Sequence, residues 1–503
     1  MDTSRLIIKN DKVKHSGQVF TPDYLVNEIL DCAGYVGQSV LRKHVIDNSC
    51  GDGAFLCVLL ERYSTAFLSV NDDKSLLKKE LETYIHGIEI DEEAYLCCIE
   101  NLDLVASSFG LTGVKWDVLN SDALLEHGYD GKMDFVVGNP PYVRVHNLND
   151  SYDDVKSHQF ANGGMTDLYL VFFEIGLDML KNGGCLCYIT PSSWINSLAG
   201  TNMRAYIQRT HCMNELIDLG HFQPFKATTY TMIAKMVKGI VFDSIDYYSY
   251  DGAKQAKVFV EKLGYDDVFI QSNLVLGSLS AVKEYADVVR NNYNSLVKVK
   301  NGFATLADKV FISDDFPFED YVIDVIKAST GKWRKAFFPY NKNGKPYSKQ
   351  EIFSNAELSD YLVGNKKELL KGRSEVLSPE WYLYGRTQAL KDVFIDKYSI
   401  NTVIRDVDSV KINVVKSGQG LYSGLYIMGD VTYDELCKIL KSERFINYVK
   451  LLKKYKSGGY YTFNSKDLEI YLNYNLGLAL KNKEKTIKVY DKQRFSECSL
   501  QFI

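Results

Sequence analysis

The sequence predicts an α/β protein whose first half forms a parallel sheet with helices on both faces. Short apolar runs alternate with segments of helical periodicity from residue 44 to about residue 237, and this alternation is typical of strand–helix–strand units. Acidic, amide and glycine residues directly follow several of the apolar runs. Sheets of this kind bind their ligands beyond the carboxyl ends of the strands, so these residues mark a candidate site.

The alternation can be followed along the chain. HVID (44–47) precedes the helical pattern GAFLCVLLERYS, and HGIEI (86–90) precedes DEEAYLCCIENLDLVASSFG. DFVVGN (134–139) is followed later by DLYLVFFEIGLDMLK, whose apolar residues recur at helical spacing. The remaining candidate strands are GGCLCYIT (183–190), ELIDLG (215–220) and TYTMIAKMV (229–237).

Length and charge indicate two domains with different tasks. The 503 residues exceed the usual size of one domain, which is about 100–200 residues. Residues 1–250 carry 20 basic and 33 acidic side chains, while the rest of the chain carries 39 and 31, so a net charge of −5 divides into −13 and +8. We therefore predict domains at 1–265 and 266–503, the second an α+β domain whose basic surface suits a polyanion.

Two other patterns narrow the class of protein. The chain has no stretch of about 18 apolar residues and no signal-peptide core, so we expect a cytoplasmic protein without a membrane partner. Eight of the ten cysteines precede residue 213, and none forms a CxxC pair. Reduced core thiols are expected, and no metal site is predicted.

The segment VIDNSCGDGAFL (45–56) predicts a strand that ends at Asp47, a turn that contains Gly51, and a helix. Glycine lets the backbone approach a ligand, and a helix N-terminus favours a carboxylate. Glu89 ends the next strand, where nucleotide-binding sheets place an acid that holds ribose hydroxyls. Asp122, in the segment NSDALL, follows a further presumed strand between HGIEI and DFVVGN, where an acid suits an adenine amino group. Each carboxylate alone is equally typical of a solvated loop.

The sharpest signal is the run Asn139-Pro140-Pro141-Tyr142, which follows DFVVG. The amide oxygen of Asn139 and the carbonyl oxygen of Pro140 are two acceptors in a stiff turn, and they suit a planar –NH2 group with two hydrogens to donate. Tyr142 adds a flat ring on which a base can stack. The alternative is a rigid turn without a chemical role.

Eight segments resemble the amino-methyltransferases that modify adenine N6 in DNA. In order they are SGQVFTPDYLVNEIL, DNSCGDGAF, GIEID, NSDALL, GNPPYV, TDLYLVFFEIGLDML, GGCLCYITPSSW and LGHFQPFKATTYTMI. The order resembles that of the gamma class, which includes TaqI-like and many restriction-modification methyltransferases. The resemblance covers nearly all of residues 16–237. It implies the Rossmann-like sheet of class I S-adenosylmethionine-dependent methyltransferases, followed by a C-terminal target recognition domain.

The resemblance also implies residues that bind the cofactor. Thr21, with Gln18 nearby, matches the contact to the methionine carboxylate of S-adenosylmethionine. Asp47 matches the acid that meets the methionine amino group. Glu89 matches the ribose acid, and Asp122 matches the acid that contacts the adenine ring of the cofactor.

Further matches concern aromatic residues and the cofactor turn. Phe172 matches an aromatic that packs on the cofactor adenine, and Phe225 matches one that contacts the extruded base, with Phe222 as a rival. Gly51 lies in the cofactor turn, but Asn48 stands where the commoner motif has proline. The backbone contacts of this turn are therefore not fixed by the resemblance.

The resemblance implies methyl transfer to N6 of a flipped-out adenine in duplex DNA. Asn139, Pro140 and Tyr142 are then the catalytic residues, and Tyr142 and Phe225 stack on the base. The expected partners are double-stranded DNA and a cognate restriction endonuclease encoded separately, and the expected state is a monomer.

Other functions remain open at this point. NPPY also occurs in methyltransferases that act on protein glutamine or on RNA guanine amino groups, although the basic second half favours DNA. Cytosine N4 methylation more usually has Ser or Asp in place of Asn139. Only about 15 residues precede the GQxFTP segment, which argues against an N-terminal nuclease, and the intact Asn139–Tyr142 motif argues against a non-catalytic DNA-binding module.

The second half resembles a target recognition domain more loosely. VKVKNGFATLADKVFI (297–312) is similar to its start, and GGYYTFNSKDLEIYLN (458–473) is similar to its end. Lys453, Lys454 and Lys456 lie close to several tyrosines, which makes them candidates for phosphate contacts. A solvated end of a lysine-rich helix explains them equally well.

Overall fold

The computed structural model of the chain describes residues 21–144, 152–161, 166–225, 229–291, 295–371 and 380–481. The chain divides into two compact units, Met1–Lys283 and Glu284–Ile503. The predicted division after residue 265 falls within the first unit. The hydroxyl of Tyr265 donates to the carbonyl of Met213 and accepts from its N–H, at 2.6 and 3.0 Å, so the segment that begins at residue 265 is fastened to that unit.

The first unit is built on one nine-stranded sheet. Its strands are β1 (Val45–Asp47), β2 (Ile85–Glu89), β3 (Asp117–Asn120), β4 (Met133–Gly138), β5 (Leu180–Pro191), β6 (Met213–Asp218), β7 (Thr231–Val237), β8 (Ser244–Asp251) and β9 (Ala256–Gly264). The order is β3-β2-β1-β4-β5-β7-β6-β8-β9. A separate hairpin joins β10 (Phe269–Ile270) and β11 (Asn273–Leu274).

The sheet is mixed where the alternation predicts a parallel one. β1 to β5 are parallel, but β7 pairs antiparallel with both β5 and β6. β9 pairs antiparallel with β8. β7 follows β6, and β9 follows β8, without a crossover helix among the described residues, and such a connection allows antiparallel pairing.

Helices cover both faces of this sheet. The helices in this part of the chain are α1 (Asp23–Ala33), α2 (Ala54–Leu68), α3 (Lys74–Tyr84), α4 (Glu92–Ser108), α5 (Tyr152–Ser157), α6 (Leu168–Met179), α7 (Thr201–Thr210), α8 (Tyr265–Val268) and α9 (Leu279–Arg290), the last of which spans the boundary between the two units. α1, α2 and α4 share a hydrophobic core with Cys187 and Ile189 of β5. α6 packs on the opposite face, where a Cβ atom at Gly176 would lie 2.7 Å from both Leu186 and Tyr188. Successive residues of β5 thus face different helices, as a doubly covered strand requires.

β1 lies at the point where the chain changes direction across the sheet. It pairs with β2 on one side and β4 on the other. β2 and β3 extend one half of the sheet, and β4 and β5 begin the other. A crevice forms at such a switch point beyond the carboxyl ends of the strands, and it is the usual ligand site in α/β sheets.

The second unit combines small sheets with short helices. Its strands are β12 (Val297–Asn301), β13 (Ile312–Ser313), β14 (Val322–Lys327), β15 (Lys332–Phe337), β16 (Lys397–Ile400), β17 (Val403–Ile404), β18 (Ile412–Val415), β19 (Gly420–Tyr422), β20 (Leu425–Gly429), β21 (Tyr455–Lys456) and β22 (Tyr460–Thr462). They form sheets ordered β12-β20-β16-β18, β13-β15-β14-β19 and β17-β22-β21.

The helices of the second unit are α10 (Asp308–Phe311), α11 (Lys349–Phe353), α12 (Ala356–Gly364), α13 (Lys366–Leu369), α14 (Tyr433–Leu440), α15 (Glu443–Leu451) and a last helix over 465–481. The core here is rich in aromatic rings. Tyr384 packs against Phe303 and Phe311, with ring centroids 5.3 and 4.9 Å apart. This content is the α+β structure predicted for the second domain. Within the described part of the chain, no helix combines the length and the apolar character needed to span a membrane.

Candidate active site

Asp47 is a buried carboxyl at the end of β1. It is 1% exposed, and its Oδ1 accepts a hydrogen bond from the backbone N–H of Ser49 at 3.0 Å. Burial raises the pKa of Asp47 to about 8, against the bond from Ser49, which lowers it. The charge of Glu89 raises it further. A positively charged ligand group beside Asp47 would favour the ionised form.

β4 approaches Asp47 without room for a side chain between them. Gly138 ends β4 with φ +153°, and a Cβ atom there would lie 2.6 Å from Asp47 Oδ1. Glycine is therefore required here both for its backbone conformation and for the space. This contact brings the start of the Asn139–Tyr142 segment against the buried carboxyl.

The glycine turn and the predicted ribose acid form one hydrogen-bonded unit. Gly51, with φ +55°, donates its N–H to Glu89 Oε2 at 2.8 Å. The N–H of Asp91 donates to Glu89 Oε1 at 2.9 Å. Glu89 is 5% exposed, and burial raises its pKa despite these bonds. The turn after β1 and the end of β2 are thus held in a fixed relation.

Asp122 lies on the same edge of the sheet, after β3. The N–H of Ser121 donates to the carbonyl of Glu89 at 3.1 Å, which keeps this segment beside the end of β2. Oδ1 of Asp122 accepts from the N–H of Leu124 at 2.9 Å. This local bond fixes the direction of the Asp122 side chain, which is half-buried.

Asn139 contacts Thr21, although 118 residues separate them in the sequence. Its Nδ2 donates to Thr21 Oγ1 at 3.1 Å, and Thr21 is 2% exposed. Since Nδ2 is the donor in this contact, Oδ1 is the accepting atom of the amide. Pro140 is buried beside it. The segment before α1 and the segment after β4 therefore meet at the switch point.

Tyr142 is anchored by β5 and α6. Its hydroxyl donates to the carbonyl of Ile189 at 3.4 Å. Its ring meets that of Tyr169 edge to face, with centroids 6.4 Å apart and planes at 80°. Burial raises the pKa of the Tyr142 hydroxyl, so this hydroxyl stays protonated. The ring is half-buried, which leaves part of its surface open.

The predicted phenylalanines lie in apolar surroundings. Phe172 is on α6 and is 5% exposed. Phe225 is 7% exposed and belongs to the core that includes Tyr250. Phe222 packs against Tyr24 and Tyr250, at centroid distances of 6.4 and 5.4 Å. The contacts shown for Phe222 and Phe225 are with this core, and their stacking on a base stays a prediction. Gln18 lies outside the described residues.

The sequence analysis missed residues that support the site from β5. Tyr188 is fully buried, and its hydroxyl donates to Asn48 Oδ1 at 2.8 Å. This bond ties the turn after Asp47 to β5. In the described structure, the buried hydroxyls of Ser49 and Thr190 have no hydrogen-bond partner within the chain. The departure at Asn48 was the available signal, because a residue that replaces proline after Asp47 gains a side chain able to bond.

Comparison with known proteins finds similarity to restriction-modification methyltransferases. Residues 67–225 match the family model for the Eco57I restriction-modification methylase. The "Type II restriction enzyme and methyltransferase RM.Eco57I" of Escherichia coli is 24% identical, over 82% of this chain and 52% of the relative. "Type II methyltransferase M.BstVI" of Geobacillus stearothermophilus is 27% identical, over 59% of this chain and 60% of the relative. This chain therefore matches between half and two thirds of the length of these relatives.

Solved structures show the same fold over both units. The structure of the Type IIL restriction-modification enzyme MmeI in complex with DNA matches with a TM-score of 0.59 and 13% identity, over 88% of this chain and 63% of that chain. A DrdV–DNA complex matches with a TM-score of 0.54 and 10% identity, over 87% of this chain and 53% of that chain. At these identities the likeness concerns the fold alone.

Proposed function

We propose that this chain is a DNA methyltransferase of the gamma class, which transfers the methyl group of S-adenosylmethionine to N6 of an adenine in duplex DNA. The observation that carries the proposal is the position of Asn139. It follows β4 at the switch point of the sheet, bonds to Thr21, and adjoins the buried carboxyl of Asp47 through Gly138. Similarity to restriction-modification methyltransferases supports the choice of DNA.

The residues at this edge fit S-adenosylmethionine, which supplies a methyl group on a sulfonium sulfur. Asp47 suits the ammonium group, because its raised pKa disfavours the ionised form until a cation is near. Glu89 suits the ribose hydroxyls, Thr21 the carboxylate, and Asp122 the adenine amino group. The buried hydroxyls of Ser49 and Thr190 are further polar atoms at this edge that a polar ligand can satisfy. Phe172 is proposed to pack on the adenine ring.

Asn139 and Pro140 are proposed to activate the amino group. The N6 lone pair of adenine is delocalised into the ring and is a poor nucleophile. Two acceptors, the Asn139 side-chain oxygen and the Pro140 carbonyl, draw both N–H bonds out of the ring plane and localise that lone pair. The bond from Asn139 to Thr21 fixes the amide beforehand, so the acceptor needs little reorganisation during reaction.

Tyr142 is proposed to hold the target base. An adenine within the duplex is stacked and out of reach, so it must leave the helix at a cost of a few kcal/mol. Stacking on an aromatic ring returns roughly 1–3 kcal/mol. The bond to Ile189 and the contact with Tyr169 fix the Tyr142 ring in place, and Phe225 is proposed as a second contact of the base.

Substitution of Asn139 by alanine tests this assignment. We expect Asn139→Ala to reduce transfer of tritiated methyl groups to unmethylated plasmid by roughly 100-fold or more. Cofactor binding, measured by calorimetry, should be retained. Asn202→Ala is a matched control, because Asn202 bonds to Gln159 on the surface of the same unit. Full transfer activity in Asn139→Ala would disprove the proposal.

The modified base and its carrier need a separate measurement. Chromatography of digested DNA separates N6-methyladenine from N4-methylcytosine, and long-read sequencing of DNA from expressing cells gives the sequence context. We expect N6-methyladenine within one recurring sequence. If the methyl label appeared in N4-methylcytosine, in release factor or in RNA, and not in adenine, the catalytic site would act on a different substrate and the proposal would be wrong.

A further inference from the structure

The hairpin of β14 and β15 ends in an exposed basic surface in the second unit. We call this surface the basic hairpin tip and define it by Lys327, Lys332, Trp333, Lys335 and Lys411. Lys332 and Lys335 are exposed, and Trp333 is 43% exposed. The other tryptophans are more enclosed, since Trp194 and Trp381 are 0% and 5% exposed and Trp116 is half-buried. Trp333 and Lys335 are two residues apart on β15 and so point to the same face of the strand, where an aromatic ring beside a positive charge suits a nucleic-acid partner.

The charges of the basic hairpin tip are arranged at a cost to the fold. Lys327 and Lys332 are direct cross-strand partners, and like charges in such positions repel each other. Lys335 lies opposite Asp324, which offsets part of the charge. Arg334 is outside the defined surface, because it pairs with Asp314 at 3.0 Å. A cross-strand pair of like charges is easier to explain by binding to an anion than by stability.

The backbone holds the basic hairpin tip in a defined shape. The turn is closed by bonds from the N–H groups of Thr330 and Gly331 to the carbonyl of Lys327, at 3.0 and 2.8 Å. Lys411 donates from Nζ to the carbonyl of Thr330 at 3.3 Å, which adds a lysine from outside the hairpin. β13 pairs only with Lys335 and Ala336 among the residues of β15. The segment from Lys332 to Arg334 therefore extends beyond the end of β13, while it stays paired with β14.

The lysines singled out in the sequence near residue 455 are less suited to a partner. Lys454 pairs with Asp467 at 2.5 Å and is 28% exposed. Tyr455 is 9% exposed, and its ring packs against that of Tyr461 with centroids 5.5 Å apart. Lys454 and Tyr455 are thus engaged in contacts within the second unit, whereas Lys332, Trp333 and Lys335 of the basic hairpin tip are exposed.

We propose that the basic hairpin tip binds duplex DNA, with its lysines on backbone phosphates and Trp333 inserted as a wedge between neighbouring base pairs. The identity of the partner rests on the proposed function, while the surface itself rests on exposure and charge. Phosphate contacts by lysine position a protein on DNA and make its affinity depend on salt. An inserted apolar side chain partly unstacks two base pairs and bends the duplex, so that it contacts more of the protein surface.

The salt dependence of DNA binding tests the lysines. Fluorescence anisotropy with a labelled duplex gives the slope of log affinity against log salt for the full chain. Removal of two phosphate contacts in Lys332→Ala with Lys335→Ala should reduce the size of this slope by about 1.8. The control, Lys438→Ala with Lys441→Ala, removes equal charge from exposed positions at α14 and should leave the slope unchanged. An unchanged slope in the hairpin variant would overturn the inference.

Trp333 provides an independent readout. Duplex DNA should quench the tryptophan fluorescence of the wild type, and Trp333→Phe should lose most of that quenching while it retains most of the affinity. Trp333→Ala should bind DNA roughly tenfold more weakly, the scale of one lost aromatic contact with the bases. Quenching that persists in Trp333→Phe places the DNA elsewhere, and tighter binding of RNA than of DNA makes the assigned partner wrong.

The two proposals fail in different ways. If the wild type methylates DNA and the hairpin variants bind DNA normally, the inference about the basic hairpin tip is wrong and the proposed function stands. If the wild type binds DNA through the basic hairpin tip but transfers no methyl group, the proposed function is wrong. Far-ultraviolet circular dichroism of each variant shows whether the β14–β15 hairpin substitutions leave the chain folded.

Discussion

The two edges of the nine-stranded sheet both bury carboxylates, yet in opposite electrostatic surroundings. At the amino ends, Asp134 pairs with Lys181 at 2.6 Å and with Lys43 at 3.2 Å. Burial acts to raise the pKa of Asp134, but the bonds from Lys181, the His44 N–H and Lys43 outweigh it and hold the pKa below its ordinary value. The hydrogen bond from His86 likewise lowers the pKa of Asp117.

At the carboxyl ends the direction is reversed. Burial raises the pKa of Asp47 to about 8 and also raises that of Glu89. Both carboxyls accept bonds from backbone N–H groups. A carboxylate paired with cations of its own chain stabilises the fold, whereas one whose ionised form is disfavoured lowers stability until a ligand compensates it. Carboxylates at the amino ends of the strands thus stabilise the fold, whereas those at the carboxyl ends are suited to binding a ligand.

Substitution of Asp47 should have the largest effect among the tests of this difference between the two ends of the strands. We expect Asp47→Asn to weaken S-adenosylmethionine binding by roughly 100-fold or more, because it removes one partner of a buried charge pair. Isothermal titration calorimetry measures the loss. An affinity within a few-fold of the wild type would mean that Asp47 does not face the ammonium group.

The same variant should alter the pH dependence of stability. The pKa of Asp47 is raised in the folded state, so its contribution is present at low pH and is lost as pH rises from about 4 to about 8. Without cofactor, the free energy of unfolding of the wild type should therefore fall, relative to that of Asp47→Asn, by up to about 1.4 kcal/mol for each pH unit across this window. Urea unfolding at pH 5, 7 and 9 measures the difference, and parallel curves would contradict the raised pKa.

Gly138 tests how closely β4 must approach Asp47. We expect Gly138→Ala to lower the free energy of unfolding by roughly 2–4 kcal/mol, since it adds both backbone strain and a contact with the carboxyl. Gly364→Ala is a matched control at the end of α12, where a Cβ atom meets no other atom within 4 Å. That change should be neutral or stabilise by about 0.5–1 kcal/mol. Equal effects of the two substitutions would show that Gly138 is not constrained.

Asp134 tests the amino ends of the strands, where its pairs with Lys181 and Lys43 are expected to stabilise the fold. We expect Asp134→Asn to cost about 1–3 kcal/mol at pH 7 through lost charged hydrogen bonds, with methyl transfer unchanged. Because the pKa of Asp134 is lowered in the folded state, this contribution exists above about pH 4 and is lost as pH falls below it. Urea unfolding should show a larger difference between the two proteins at pH 7 than at pH 3. A loss of methyl transfer would mean that the two edges are not separable.

The sequence predicts the centre of this sheet better than its margins. β1, β2, β4 and β5 are largely buried runs that end in glycine, proline or an acidic residue, and such runs are recognisable without a structure. β8 and β9 do not show this pattern, and the sequence does not predict them as strands. Buried and partly exposed residues mix along β8, and β9 is mostly exposed as the edge strand. Both strands lie within the predicted first domain, which ends at residue 265, while the first unit continues to Lys283.

The site residues were predicted by position, but not their contacts. The positions follow from strand ends, which a linear pattern can show. The bonds from Asn139 to Thr21 and from Tyr188 to Asn48 join residues 118 and 140 positions apart, and the space required at Gly138 depends on the pairing of β1 with β4. Such relations arise from strand order and register, which no local pattern contains.

Substitution of Lys43 should have the smallest effect on stability, and it tests whether Asp134 needs both of its lysine partners. It is 47% exposed in its pair with Asp134, so Lys43→Ala should cost only about 0–1 kcal/mol, because Lys181 continues to neutralise the carboxyl. The cost should shrink in high salt. In an Asp134→Asn background the same substitution should cost nothing further, which a double-mutant cycle by urea unfolding measures. A cost above about 2 kcal/mol in the wild-type background would mean that Lys181 cannot satisfy Asp134 without Lys43, and the amino edge would then depend on a cooperative charge cluster.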